Sequence, residues 1–345
     1  MSAVSMPGST TGVPICNDEP LLKLESLRVY FRAARGLVRA VDGVSFSLAR
    51  GRTLGIVGES GSGKSVLARS LLRLLPEQTT IRAGGRILFD GQDLGQLSEA
   101  ELRRIRGRRI AMVFQDPMTS LNPVMPIGRQ IAQVLKYHLG MAPKAASARA
   151  LDLLASVGVP SPRQRLEEFP HQLSGGMRQR VMIALALACD PELLIADEPT
   201  TALDVTVQAQ ILDLLYRQQS ERGMTLILIS HDLGVVARLA DRIAVMYAGR
   251  LVEQASAEAL FGDMRMPYTA ALFRSIPKLA NPSHTRLEAI DGRPPDLARE
   301  LRGCRFAPRC RFVDDRCRSE EPPLVREPPD HEYACWHPVH LAARG

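Results

Sequence analysis

The chain has 345 residues, is 45% hydrophobic and 23% charged, and carries a net charge of +7. That length accommodates two domains, or one large domain with an appendage, around a sizeable core. The longest apolar run, VMIALALAC at 181–189, is about half of a membrane span, so no membrane-crossing helix is expected.

The basic excess is densest in LRRIRGRRI, 102–110. It suits a solvated surface, an anionic lipid surface or a nucleic acid alike. The first twenty residues lack the basic start and apolar core of a secretory signal. Small, polar and proline-containing, they predict a disordered leader over 1–20. LLKLESLRVYF and GLVRAVDGVSFSL alternate apolar and polar residues, the period of half-buried strands. TLGIVG, LLIAD (193–197) and TLILIS (225–230) read as short buried strands. Helical patterns such as VLARSLLRLL and VQAQILDLLYRQQ separate them. This alternation predicts an α/β fold with a parallel sheet covered on both faces. The stretch 98–180 is mostly helical and reads as an insertion in the α/β core. From 266 prolines, cysteines and arginines accumulate, which marks an appendage over 266–345.

After the strand TLGIV comes GESGSGKS: Gly58, Glu59, Ser60, Gly61, Ser62, Gly63, Lys64 and Ser65. It fits the phosphate-loop pattern G-x-x-x-x-G-K-[ST] in full. The glycines let backbone N–H groups turn inward around phosphate oxygens, and the following helix points its positive end at the same anion. Lys64 can reach the β- and γ-phosphates, and Ser65 can place its hydroxyl on Mg²⁺. LLIADE ends a strand in two acids. Asp197 would hold Mg²⁺, directly or through water, and Glu198 would polarise the attacking water. LSGGMRQR (173–180) opens a helix with Ser174, Gly175 and Gly176. Ser174 suffices for an ordinary N-cap, but two helix-weakening glycines suit a close approach to an anion.

GESGSGKS, Gln115 in VFQD, LSGGM, LLIADE, TALD and His231 in ISHD occur in the order found in the ATPase subunit of ABC transporters. The chain resembles that family over 21–265. The resemblance implies a P-loop ABC ATPase core, a mixed sheet with flanking helices and a helical insertion, that binds ATP and Mg²⁺. It implies a head-to-tail dimer, in which Ser174, Gly175 and Gly176 of one subunit meet the γ-phosphate held by the other. Gln115 would touch the nucleotide and its Mg²⁺ and lead into the insertion. Asp204 would lie across the interface, and His231 would orient the catalytic water. Phe31, rather than Tyr30, would stack on adenine. With Lys64, Asp197, Glu198 and His231 all present, a competent ATPase is expected.

VFQDPMTSLNPVMPIG, FPHQLSGGMRQRVMIALALACDPELLIADEPTTALDVTVQAQIL, PYTAALFRSIP and Met177 resemble the oligopeptide and dipeptide importer branch. That implies a paralogous ATPase (or a second copy) as partner, two membrane permeases and an extracytoplasmic peptide-binding protein. The chain would sit peripherally on the cytoplasmic face of the membrane, with no nucleic-acid partner. Nickel importers share the machinery. A soluble ABC protein of regulation or repair is the reading from another class.

Four of the six cysteines, Cys304, Cys310, Cys317 and Cys335, lie in the last 42 residues. Cys16 lies in the leader, and Cys189 reads as a small core hydrophobe. The segment around the four is polar and calls for a staple. A reducing cytoplasm disfavours disulfides, so a metal site is expected, with four thiolates suiting Zn²⁺ or a [4Fe–4S] cluster. The resemblance favours the cluster, which has been associated with this four-cysteine pattern in some dipeptide-importer ATPases. His331 and His337 are spare candidates, with surface histidines as the more ordinary role.

Overall fold

The computed structural model describes residues 19–34, 36–201, 203–275, 290–328 and 330–342. The leader, Cys16 included, lies outside the described residues apart from Glu19 and Pro20. The strands are β1 (Leu22–Ala33), β2 (Gly36–Leu48), β3 (Thr53–Val57), β4 (Thr80–Phe89), β5 (Gln92–Asp93), β6 (Ile110–Val113), β7 (Leu193–Asp197), β8 (Thr225–Ser230), β9 (Arg242–Tyr247), β10 (Arg250–Ser256), β11 (Val325–Glu327) and β12 (His331–Tyr333).

They form two sheets. The larger has the order β11-β12-β10-β9-β3-β8-β7-β6. Its β9, β3, β8, β7 and β6 are parallel. Its β10, β12 and β11 are antiparallel. The smaller sheet, β2-β1-β4-β5, is antiparallel throughout. The expectation of one parallel sheet therefore holds only for the centre. β1 and β2 alternate because they make their own half-buried sheet rather than joining the parallel one.

Every residue of β3, β7 and β8 is buried, as both faces of these central strands are covered. Their side chains alternate between two cores. Leu54, Ile56, Leu193, Ile195, Ile227 and Ile229 pack with the antiparallel sheet and with Leu67, Ala68 and Leu71 of the helix Lys64–Leu71. Leu194, Ala196, Leu226 and Leu228 point the other way, onto Val181 and Ile183 of Gly175–Ala186 and Ile211 and Leu215 of Val205–Arg222. Ile131 of Ile127–Leu139 and Leu153 of Pro143–Ser156 join that second core.

The boundaries 98 and 180 need correction. Ile110–Val113 is β6 of the main sheet, paired with β7, and residue 180 falls inside the helix Gly175–Ala186. Four apolar residues beside a basic run are too short a signal to separate a buried edge strand from the helices around it.

The C-terminal region is not a free-standing appendage. β12 pairs with β10, and Phe306, Tyr268, Cys304, Cys310 and Cys335 pack on the main core. The rings of Tyr247, Tyr268 and Phe306 stand 4.5–5.4 Å apart. The fully buried Glu253 accepts the N–H groups of Arg265 (2.7 Å) and Met266 (3.1 Å) and lies 2.8 Å from the His331 ring. His331 is thus a buried partner of Glu253, neither a surface residue nor a spare ligand. Polar residues that looked insufficient for a core are ordered by the core of the sheet they join.

Candidate functional site

β3 ends in the loop 58–63, with positive φ at Gly58, Gly61 and Gly63. A Cβ at Gly58 would stand 2.2 Å from the Met246 carbonyl oxygen, and one at Gly63 2.1 Å from that of Ala40. Both positions are reserved for glycine by the close approach of another backbone. The helix Lys64–Leu71 starts from Gly63 with no side-chain cap, so its first N–H groups face the loop. Lys64 is only 4% exposed, and its ammonium donates to the carbonyls of Gly58 (2.7 Å) and Glu59 (3.0 Å). Burial lowers its pKa, and the charges of Glu198 and Asp197 counter that in part.

β7 carries the acids to the same end of the sheet. Asp197 is fully buried. Its Oδ1 accepts the Ser65 hydroxyl at 2.8 Å, and its Oδ2 has no partner. Burial raises its pKa, against the hydrogen bond from Ser65. A buried, half-satisfied carboxylate beside a hydroxyl is a hard oxygen pair with room for a cation, so these residues fit Mg²⁺. Ser62 Oγ is likewise buried and unpartnered.

Glu198 has φ 47°, the left-handed region that a non-glycine residue rarely adopts. Its N–H donates to the Ile229 carbonyl (3.0 Å), which ties the turn to β8. Its Oε2 accepts from Gln115 Nε2 (3.1 Å) and Thr201 Oγ1 (3.0 Å) and lies 3.5 Å from His231 Nδ1. Its Oε1 is 3.9 Å from Lys64 Nζ. Lys64, Ser65, Gln115, Asp197, Glu198 and His231 thus converge where β3, β6, β7 and β8 end. The His231 side chain is 63% exposed and faces out of the cluster. Thr201 belongs to this group and escaped the sequence reading, because a threonine three residues beyond Glu198 carries no spacing signal of its own.

The remaining predicted residues lie elsewhere. Ser174 caps the helix Gly175–Ala186, accepting the Met177 N–H at 3.3 Å. Gly176 has a packing role as well, since its Cβ would stand 2.8 Å from Val207 Cγ1. Asp204 caps Val205–Arg222 through the Val207 N–H (2.9 Å). Ser174, Gly175 and Asp204 are exposed. Among the described residues no hydrogen bond or ion pair joins Ser174, Gly175, Gly176 or Asp204 to Gly58–Ser65. Phe31 is half-buried, opposite Val38 and Thr80. The Tyr30 hydroxyl is committed to Asp42 Oδ1 at 2.7 Å.

Around the four cysteines, the Cys304 N–H donates to the Cys317 carbonyl at 2.7 Å. Burial first, and then mutual charge, pushes the Cys335 thiol up to about 12; burial also raises Cys304, Cys310 and Cys317. Among the described residues, the three or more ligand atoms lying within 4.8 Å of one another are those of Asp314, Cys317 and His337. The four sulfurs as a set stand wider. Cys189 is a buried free cysteine.

The ABC transporter family profile matches residues 41–201, and that of the oligopeptide/dipeptide transporter C-terminal region matches 252–317, beginning inside β10. The oligopeptide transport ATP-binding protein OppD of Bacillus subtilis is 49% identical over 320 residues, covering 92% of this chain and 89% of that one. The chain belongs to the peptide ABC transporter ATP-binding proteins. The dipeptide transport ATP-binding protein DppD of Escherichia coli is 48% identical over 324 residues, covering 94% of this chain and 98% of its own. Among solved structures, the dimeric post-hydrolysis state of the ATP-binding cassette MJ0796 bound to ADP and Pi aligns with TM-score 0.62 and 28% identity, over 68% of this chain and 98% of that one. The fold of this ABC ATPase is accordingly the P-loop cassette with a mixed sheet. Among the described residues no helix is long and apolar enough to cross a membrane.

Proposed function

We propose that this chain is the ATP-hydrolysing subunit that powers import of di- or oligopeptides through an ABC transporter. The observation that carries the reading is the convergence of Lys64, Ser65, Asp197, Gln115, Glu198 and His231 on one end of the sheet, in a chain whose C-terminal region is of the oligopeptide/dipeptide type.

In this reading the loop Gly58–Ser65 cradles the phosphates of ATP, with the backbone N–H groups of Ser60, Gly61, Lys64 and Ser65 among the donors. Lys64 leaves its two loop carbonyls for the β- and γ-phosphate oxygens. Ser65, Asp197 and Gln115 would hold Mg²⁺, which when bound neutralises phosphate charge. Glu198 accepts a proton from the attacking water or positions it, with Thr201 and Gln115 holding the carboxylate in place. His231 stands at the mouth, where it contacts the γ-phosphate and the water. Phe31 stacks on adenine.

Among the described residues Ser174, Gly175, Gly176 and Asp204 make no hydrogen bond or ion pair with their own phosphate loop, which supports their use by another copy. The subunit then closes on a paralogous ATPase, or on itself, head to tail with ATP at the interface. Closure drives two permeases, and hydrolysis resets them. An extracytoplasmic peptide-binding protein delivers the solute, and the chain sits on the cytoplasmic face of the membrane. The helical segment between β6 and β7 serves as the insertion that receives the permeases.

Reconstituted in proteoliposomes with these partners, the chain should drive ATP-dependent uptake of a labelled di- or oligopeptide. Uptake of nickel but not peptide would overturn the substrate. ATP turnover indifferent to the permeases, without uptake of either, would overturn the transport role.

The four cysteines are assigned to a [4Fe–4S] cluster. A zinc ion at about 2.3 Å from four thiolates would gather the sulfurs to within about 4 Å of one another. The four sulfurs do not all lie within 4.8 Å of one another, so a zinc ion would have to draw them closer. A bound cation would also reverse the thiols' raised pKa values. Protein purified without oxygen should contain about four irons and four sulfides per chain. One zinc and no iron would replace the cluster by a structural zinc site.

A further inference from the structure

The second residue of the phosphate loop is held by the cysteine-bearing segment. Arg309 ends the turn Ala307–Arg309, between Cys304 and Cys310. Its side chain is 3% exposed. It forks onto the Glu59 carboxylate, with Nη1 to Oε2 at 2.6 Å and Nη2 to Oε1 at 2.9 Å. Its other bonds fix the fork in place. Nη1 donates to Tyr247 Oη (3.3 Å), Nη2 to the Ile290 carbonyl (3.1 Å) and Nε to the Asp291 carbonyl (2.8 Å). The Glu59 N–H in turn donates to Tyr268 Oη at 2.9 Å. The Glu59 carboxylate and N–H are therefore held by Arg309 and Tyr268, both beyond residue 265. Nothing in the phosphate-loop pattern asks for an acid here. Four residues earlier, Arg305 bonds Asp42 and the Ala248 carbonyl. Asp42 holds the Tyr30 hydroxyl, next to Phe31.

A bidentate arginine–carboxylate pair whose arginine is buried is strong and fixes geometry, and losing the carboxylate strands the guanidinium. We infer that Arg309 is a positioning residue for the phosphate loop, coupling nucleotide affinity to the arrangement of the cysteine segment 304–317. The inference rests on reading Gly58–Ser65 as the phosphate cradle. Coupling of this kind is reciprocal: if the segment sets the loop, nucleotide on the loop must steady the segment.

The test uses the full chain and a fluorescent ATP analogue. Arg309→Met and Glu59→Gln should each weaken nucleotide binding about tenfold and raise KM, and for Arg309→Met kcat at saturating ATP should stay within about twofold. The double variant should lose no more than either single one. In wild type, nucleotide should slow hydrogen exchange over 304–310, and Arg309→Met should abolish that slowing. Arg309→Lys, which keeps the charge but not the fork, should recover part of the affinity. Should Arg309→Met not fold, Glu59→Gln and its exchange pattern decide alone. Wild-type affinity in both variants, additive losses, or exchange indifferent to nucleotide would each overturn the inference. Lys64→Ala is the control: if it binds nucleotide normally, the cradle reading falls and takes the inference with it.

Discussion

Glu198→Gln should cut ATP turnover by about 10²–10⁴-fold while leaving nucleotide affinity close to wild type, as expected for loss of a general base. Glutamine is isosteric, and the left-handed turn at Glu198 depends on its N–H bond to the Ile229 carbonyl, which the substitution spares. Gln115, Thr201 and Lys64 keep their places around the side chain. Only the ability to take a proton or to attract the water electrostatically is lost. With hydrolysis blocked, the ATP-bound two-subunit state should accumulate. Single-turnover kinetics and light scattering with ATP and Mg²⁺ check both halves. Turnover at the wild-type rate would remove Glu198 from the chemistry.

Lys64→Ala should weaken nucleotide binding by about 100-fold, since charge-assisted hydrogen bonds are each worth about 1.5–3 kcal/mol. The ammonium is buried and bonded to two carbonyls of its own loop. It sits, desolvated, where phosphate oxygens would replace those carbonyls. Alanine leaves the carbonyls of Gly58 and Glu59 without that donor and the cradle without its cation. The fold should survive, because Leu67, Ala68 and Leu71 anchor the helix Lys64–Leu71 in the core. Equilibrium titration with a fluorescent nucleotide, alongside thermal melting, separates lost binding from lost structure. Full affinity in a folded Lys64→Ala protein would contradict the cradle.

The central strands and the convergence of the candidate site residues were legible because short apolar runs ending in chemically committed residues leave few alternatives. TLGIV before the glycine loop and LLIAD before Glu198 are such runs, and the structure puts their ends together. β6 was not legible, because IAMV is four residues long and its burial depends on β7. Nor was the split into two sheets, since alternation in β1 and β2 says that one face is buried but not against what. Thr201, Arg309 and Tyr268 escaped for a related reason. Each matters through a partner distant in sequence or through a side-chain rotamer, and neither is written in local spacing. The polar C-terminal stretch misled in the opposite sense: low apolar content suggested a module apart from the core, whereas Phe306 and Tyr268 borrow the core of the ATPase.

The pairing of β12 with β10 has a bearing on where this protein can be cut. β10 would otherwise be the rim of the large sheet, with an open row of peptide groups ready to template another chain. The hairpin of β11 and β12 covers that rim, and His331 together with the Arg265 and Met266 amides satisfies the Glu253 carboxylate behind it. A chain ended near residue 265, where composition alone draws a border, would bare a sticky strand and a stranded acid at once. The tail thus covers the edge that a cassette cut there would expose, and such a truncated chain should aggregate where the full chain does not.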